Sequence, residues 1–178
     1  PCQGFSYAGQ GLNFEDERSK LFFEYARLKE ELKPKYFLLE NVRMKYEYEI
    51  IISKYLGIEP ISINSDLVSA QNRERIYWTN INAVAYNLFG DYIADIPKPK
   101  DKKIFIKDIL QKKFNDKYWL KPKNTELLLK KVDITNAPDI AIIDVYNKYV
   151  RKDEKCNTLT HPCHNATRLL YNGRIRKL

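Results

Sequence analysis

Three short islands of this 178-residue chain hold residue types that do chemistry together. Pro1-Cys2-Gln3-Gly4-Phe5-Ser6 offers a thiol, Glu40-Asn41-Val42 a carboxyl beside a carboxamide, and Gln71-Asn72-Arg73-Glu74-Arg75 a pair of guanidinium groups. A thiolate is a nucleophile, a protonated carboxyl is a general acid, and two arginines clamp a polar substrate or a phosphate. Each island alone has a bland reading. A lone cysteine is more often inert than catalytic, Glu40 could cap a helix or sit in a surface ion pair, and the arginines could be simple phosphate contacts. Their order along the chain, and the way each completes the others, point to covalent catalysis.

The elements that must position these islands can be read from periodicity. Leu21, Phe22, Tyr25, Leu28 and Leu32 fall at helical spacing over residues 17–32, and Pro34 disfavours continuation. The apolar run Tyr36-Phe37-Leu38-Leu39 predicts a strand buried on both faces of a parallel sheet, delivering Glu40 and Asn41 at its carboxyl end, where α/β sheets gather ligands. Residues 45–56 predict a second helix closed by Gly57. Ile58–Ile63 and Ile76–Ile81 predict an antiparallel pair of strands, because residues 65–75 are too few for a helical crossover. The arginines then lie on the loop entering the last strand.

Beyond residue 82 the character changes. Pro97 and Pro99 mark a linker, so a boundary is expected near residue 95. Residues 104–114 and 124–132 predict short helices, Ile140–Tyr149 a strand, and Asn157–Tyr171 irregular structure. Residues 98–131 hold twelve lysines and four acidic residues, a surplus equal to the entire net charge of +8. Such a window is the electrostatic footprint of a protein that rides on phosphates, although a solvated helical face would look similar. No apolar run is long enough to cross a bilayer, and three cysteines do not make a disulfide framework, so a cytoplasmic location is expected and Cys2 stays free.

The three islands resemble, in order, blocks of the DNA cytosine-C5 methyltransferases of the restriction-modification or phage type. The stretch Asp16-Glu17-Arg18-Ser19-Lys20-Leu21-Phe22-Phe23-Glu24 is similar to the segment following the nucleophile loop in that family, and Arg174-Ile175-Arg176-Lys177-Leu178 resembles the opening of a later block. The implied fold is α/β: the C-terminal part of a Rossmann-like methyltransferase sheet over residues 1–95, an irregular, basic target-recognition domain over 96–170, and a return to the catalytic domain over 171–178.

The resemblance also implies roles. Cys2 would add to C6 of a cytosine flipped out of duplex DNA, its thiolate favoured by the charge of Arg73 or Arg75. Glu40 would supply a proton or strong hydrogen bond at N3, with Asn41 orienting it, while Arg75 would hold O2 and Arg73 would order the loop. Gln3, Ser6, Gln71 and Thr158 are expected to touch DNA, and Pro1 and Leu21 the cofactor, S-adenosylmethionine. The family's main cofactor loop is not in the chain, where Gly9-Gln10-Gly11 is the nearest approach to a glycine-rich loop. The expected partners are double-stranded DNA and, where the chain is one piece of a split enzyme rather than a fragment, a separate N-terminal cofactor-binding half. Without those first strands a long apolar sheet edge would be exposed. The rival expectation is a DNA-binding remnant, or the accessory half of a split enzyme, without catalysis of its own. Cys156, His161, Cys163 and His164 invite a metal, but their spacing fits no standard zinc pattern, and a polar recognition loop is the preferred reading. Pro162-Cys163-His164 is similar to the thymidylate synthase nucleophile, and nothing else in the chain supports that enzyme.

Overall fold

The computed structural model describes the chain except for residues 1–3, 6–12, 89, 112, 114 and 160–165. The chain divides into two compact units, one of residues 1–64 and 74–98, the other of residues 65–73 and 99–178. The nine residues 65–73 therefore leave the first unit and pack with the second, which local periodicity did not foretell.

The first unit is built around α1 (Glu17–Leu32), β1 (Leu38–Asn41), α2 (Tyr46–Leu56), β2 (Ile61–Asn64) and β3 (Glu74–Thr79). Asp16 starts α1 by accepting the Arg18 amide at 2.9 Å, and Lys33 ends it in the left-handed conformation at φ 44°. Gly57 closes α2 in the same region, at φ 70°, as expected for a glycine cap. The buried positions of α1, Ser19, Phe22 and Ala26, form one stripe. Phe22 and Ala26 join Ile52 and Leu56 of α2 and Ile76 and Trp78 of β3 in a single core. Trp78 is fully buried and donates its indole N–H to Ser53 at 3.0 Å, which satisfies the polar tip of the largest core residue.

The sheet order is β1-β3-β2, with both outer strands antiparallel to β3. The antiparallel pairing of β2 and β3 is as expected. The reading of β1 needs correction: its described neighbour is antiparallel, and Leu38 is 50% exposed rather than buried on both faces. β1 and β2 run in the same direction only because β3 lies between them. A small hairpin, β4 (Ala83–Ala85) with β5 (Tyr92–Ala94), completes this unit.

The second unit holds α3 (Ile106–Ile109), a 3-10 turn (Asp116–Tyr118), α4 (Pro122–Leu129) and four strands, β6 (Ile140–Asp144), β7 (Tyr149–Val150), β8 (Thr167–Tyr171) and β9 (Arg174–Lys177). They form an antiparallel sheet in the order β7-β6-β8-β9. Alternation along the strands sends Ala141, Ile143, Leu170 and Ile175 into a core with Leu128 and Val132, and Ile142 and Leu169 into another with Ala70, Ile106 and Cys156.

Three expectations change here. The strand expected over 140–149 breaks after Asp144, whose carboxylate accepts the Asn147 backbone amide at 2.9 Å and its side-chain amide at 2.9 Å, forming a turn. Residues 167–171, expected to be irregular, are a central strand. Residues 171–178, expected to rejoin the first domain, lie in the second unit, where β9 pairs with β8. The hairpin signal was present in Asn172-Gly173, both at positive φ (46° and 76°), between the apolar run Leu169-Leu170-Tyr171 and the alternating Arg174-Ile175-Arg176.

Candidate active site

Glu40 and Arg75 come from different islands and meet in the first unit. Glu40 lies opposite Tyr77 in the β1–β3 ladder, so Arg75, two residues before Tyr77, is its diagonal same-face neighbour. Its Nε stands 3.1 Å from Glu40 Oε1, with the Arg75 side chain 15% exposed and that of Glu40 40% exposed. Nη1 of Arg75 also donates to the Glu74 carbonyl at 2.7 Å, which fixes the guanidinium plane. Arg75 is thus inside β3, opposite Ile63, rather than on the loop before it. Asn41 is buried, and its Oδ1 accepts the Val42 amide at 2.8 Å, setting the turn that leaves β1.

Cys2, with Pro1, Gln3 and Ser6, lies outside the described residues. The two residues described beside them are tightly held. Phe5 packs edge-on against Phe14 with centroids 4.8 Å apart, and the Gly4 carbonyl accepts the Asn13 amide at 2.9 Å. A Cβ on Gly4 would come within 2.2 Å of Ser19 Oγ, so only glycine lets the chain pass this close to α1. Leu21 lies on α1 and is 57% exposed.

Gln71 and Arg73 belong to the loop of the second unit. The loop is closed at its base by the Ser65 amide on the Arg73 carbonyl at 3.2 Å and braced inside by Ser65 Oγ on the Gln71 carbonyl at 2.8 Å. Residues 156–158 run alongside it. Cys156 N–H donates to Ala70 at 2.7 Å, Asn72 N–H donates to Cys156 at 2.8 Å, and Thr158 Oγ1 donates to the Asn72 carbonyl at 3.2 Å. The hydroxyl of Thr158, a residue expected to touch DNA, thus donates to the loop. Cys156 is buried in an apolar core, and burial pushes its thiol up to about 11, so it is a packing residue rather than a nucleophile. His161, Cys163 and His164 lie outside the described residues, and no cluster with metal-holding composition occurs among the described ones.

Sequence reasoning missed Lys155. Only 9% exposed, it donates to the carbonyls of Asp66 (2.7 Å), Ser69 (3.0 Å) and Ile104 (2.6 Å), with its ammonium 5.1 Å from the Phe105 ring centroid. Among twelve lysines in the preceding basic window and others around it, nothing local distinguishes this one.

Residues 1–49, which contain the Cys2 and Glu40 islands, match the model of the C-5 cytosine-specific DNA methylases. The chain belongs to the C-5 cytosine-specific DNA methylase family. Its methylase relatives include a Type II methyltransferase of Lactococcus lactis subsp. cremoris, 35% identical over 135 residues, which are 69% of this chain and 34% of the relative. A Type II methyltransferase of Haemophilus parainfluenzae is 33% identical over 150 residues, 73% of this chain and 39% of the relative. One from Escherichia coli is 37% identical over 124 residues, 63% and 29% of the two chains. The chain thus spans about a third of the length of the curated methylases it matches.

Proposed function

We propose that this chain carries the catalytic and target-recognition residues of a DNA cytosine-C5 methyltransferase of the restriction-modification type, acting in the cytoplasm on double-stranded DNA. The observation that carries the reading is the Glu40–Arg75 pair, because it unites two islands whose joint chemistry a cytosine requires.

C5 of cytosine is a weak nucleophile. Cys2 thiolate adds to C6, and the C5–C6 π pair becomes an enamine with density pushed toward N3. Glu40 in its protonated form donates a hydrogen bond or its proton at N3, and Arg75 holds that carboxyl group and the base's O2. C5 then takes the methyl group and loses its proton to a base, the S–C6 bond breaks to restore the thiolate, and N3 returns its proton to Glu40. The base reaches Cys2 only when flipped out of the stack, with Gln3, Ser6, Gln71 and Thr158 on the DNA side and Arg73 ordering the loop. S-adenosylmethionine supplies the methyl group when bound. The exposed Leu21 fits an apolar packing contact with it, and Pro1 would add its backbone.

The test is a duplex carrying 5-fluorocytosine, incubated with S-adenosylmethionine and the chain, with and without a cofactor-binding half from a relative. The expected result is a denaturation-resistant protein–DNA band that Cys2→Ala abolishes. Retention of the band in Cys2→Ala would overturn the assignment of the nucleophile. DNA binding without any band, once the added half is seen to associate, would favour the non-catalytic reading, which the basic window of residues 98–131 supports equally.

A further inference from the structure

We propose that Lys155 is a positioning residue, a latch through which the second unit sets the backbone path of the loop that delivers Gln71 and Arg73. The inference rests on the functional reading above and names a residue that reading does not contain.

An ammonium group has three N–H donors, and those of Lys155 go to three main-chain carbonyls, two of them inside the loop, Asp66 and Ser69, and the third at Ile104. A buried charge is costly unless its donors are all taken, and a methionine would fill the same space without that cost. The core alone does not call for lysine here. What the lysine adds is direction: its bonds go to backbone oxygens, so they fix where the chain runs whatever side chains the loop carries. The seam continues through Cys156 and Thr158 onto Ala70 and Asn72, ending one residue before Arg73, whose own carbonyl closes the loop on Ser65. Lys155 anchors the upstream end of this seam. Residue 74 then begins β3, and Arg75 on that strand holds Glu40. Loosening the seam would leave DNA contacts elsewhere in the second unit intact and blur the placement of Gln71 and Arg73 when the base is attacked.

The experiment compares the full chain, supplied with the cofactor-binding half, as wild type, Lys155→Met and Lys155→Arg. Amide hydrogen exchange is read over residues 65–73 and over β6 and β8, and trapping of the 5-fluorocytosine duplex is timed at saturating DNA beside the duplex Kd. In Lys155→Met the loop amides should exchange at least about tenfold faster while β6 and β8 stay protected. Its trapping rate should fall up to about 100-fold with Kd little changed, because a misplaced group loses rate rather than affinity. Lys155→Arg, which keeps the charge and its donors, should recover part of the rate. Unchanged loop exchange in Lys155→Met overturns the latch whatever trapping does, and faster exchange with an unchanged trapping rate overturns its positioning role. If the wild type traps nothing, the functional reading fails, and with it the role assigned to Lys155 in the reaction, while the exchange arm still judges the latch. Should Lys155→Met not fold, Lys155→Gln, with two N–H donors left, is read by the same criteria.

Discussion

Arg75 and Glu40 form a diagonal cross-strand pair, Nε to Oε1 at 3.1 Å, that joins residues thirty-five positions apart on neighbouring strands of the first unit. A half-exposed ion pair of this kind is worth about 0–1 kcal/mol of stability. Its value lies in orientation: a carboxylate held by one edge of a guanidinium presents its remaining oxygen in a fixed direction.

That gives a clean separation of effects. Glu40→Gln should lower the single-turnover methylation or trapping rate by about 10²–10⁴, the usual worth of a positioned acid, while the unfolding midpoint barely moves. Arg75→Lys keeps the charge but loses the planar fork, and should cost rate without unfolding the sheet. A large fall in thermal stability for either variant would mean the pair is structural.

Gly4 tests how tightly the segment next to Cys2 is held. A Cβ there meets Ser19 Oγ at 2.2 Å and the Asn13 carbonyl at 2.9 Å, and the second contact is backbone that cannot swing away. Gly4→Ala should therefore destabilise the first unit by about 1–3 kcal/mol, the usual cost of overpacking. Ser19→Ala, which removes a buried hydroxyl with no hydrogen-bond partner among the described residues, should be neutral or stabilising in the same denaturant titration.

Asp16 carries a pH dependence of known sign. The Arg18 guanidinium and backbone amide bind its carboxylate and pull it from the usual 3.8 to about 2. A carboxyl with a depressed folded pKa contributes stability that is complete above its unfolded value and is lost as the pH falls through the folded one. The unfolding midpoint should thus decline between pH 3.8 and about pH 2 by an increment that Asp16→Asn lacks. Asp16→Asn keeps the helix cap, so at neutral pH it should unfold α1 less readily than Asp16→Ala does.

Arg174 and Arg176 project from the same side of β9, and the Arg174 guanidinium lies 4.1 Å from the Trp119 ring centroid, with that of Arg176 5.8 Å from Tyr118. A cation–π contact holds a guanidinium through its face, and Arg176 also donates its Nε–H to the Lys177 carbonyl at 3.0 Å. Arg174→Ala should weaken duplex binding about uniformly across sequences and reduce the salt slope by about one. Trp119→Ala should weaken binding in the same sense by freeing the arginine. Unchanged affinity in both at low salt would remove this strip from the DNA-binding face.

The sequence by itself determined the helices and turns whose causes are local. Pro34 and Gly57 mark the ends of α1 and α2 because stops and caps depend on a few adjacent residues, and the short connection after Ile63 forced an antiparallel return, whereas the helix expected over residues 104–114 is confined to Ile106–Ile109. The chemistry-bearing islands were legible too, since nucleophile, acid and arginine pair are recognisable as types. The sequence could not say that Glu40 meets Arg75, because that contact depends on strand register, which is a property of two chains of residues at once. It missed β8 because a central strand is specified by its partners on both sides more than by its own pattern. Neither the departure of residues 65–73 into the second unit nor the role of Lys155 could be read from local pattern. Both consist of hydrogen bonds between main-chain groups and one ammonium spanning up to eighty-nine positions, and main-chain groups are identical in every residue. Only the tertiary structure chooses among them.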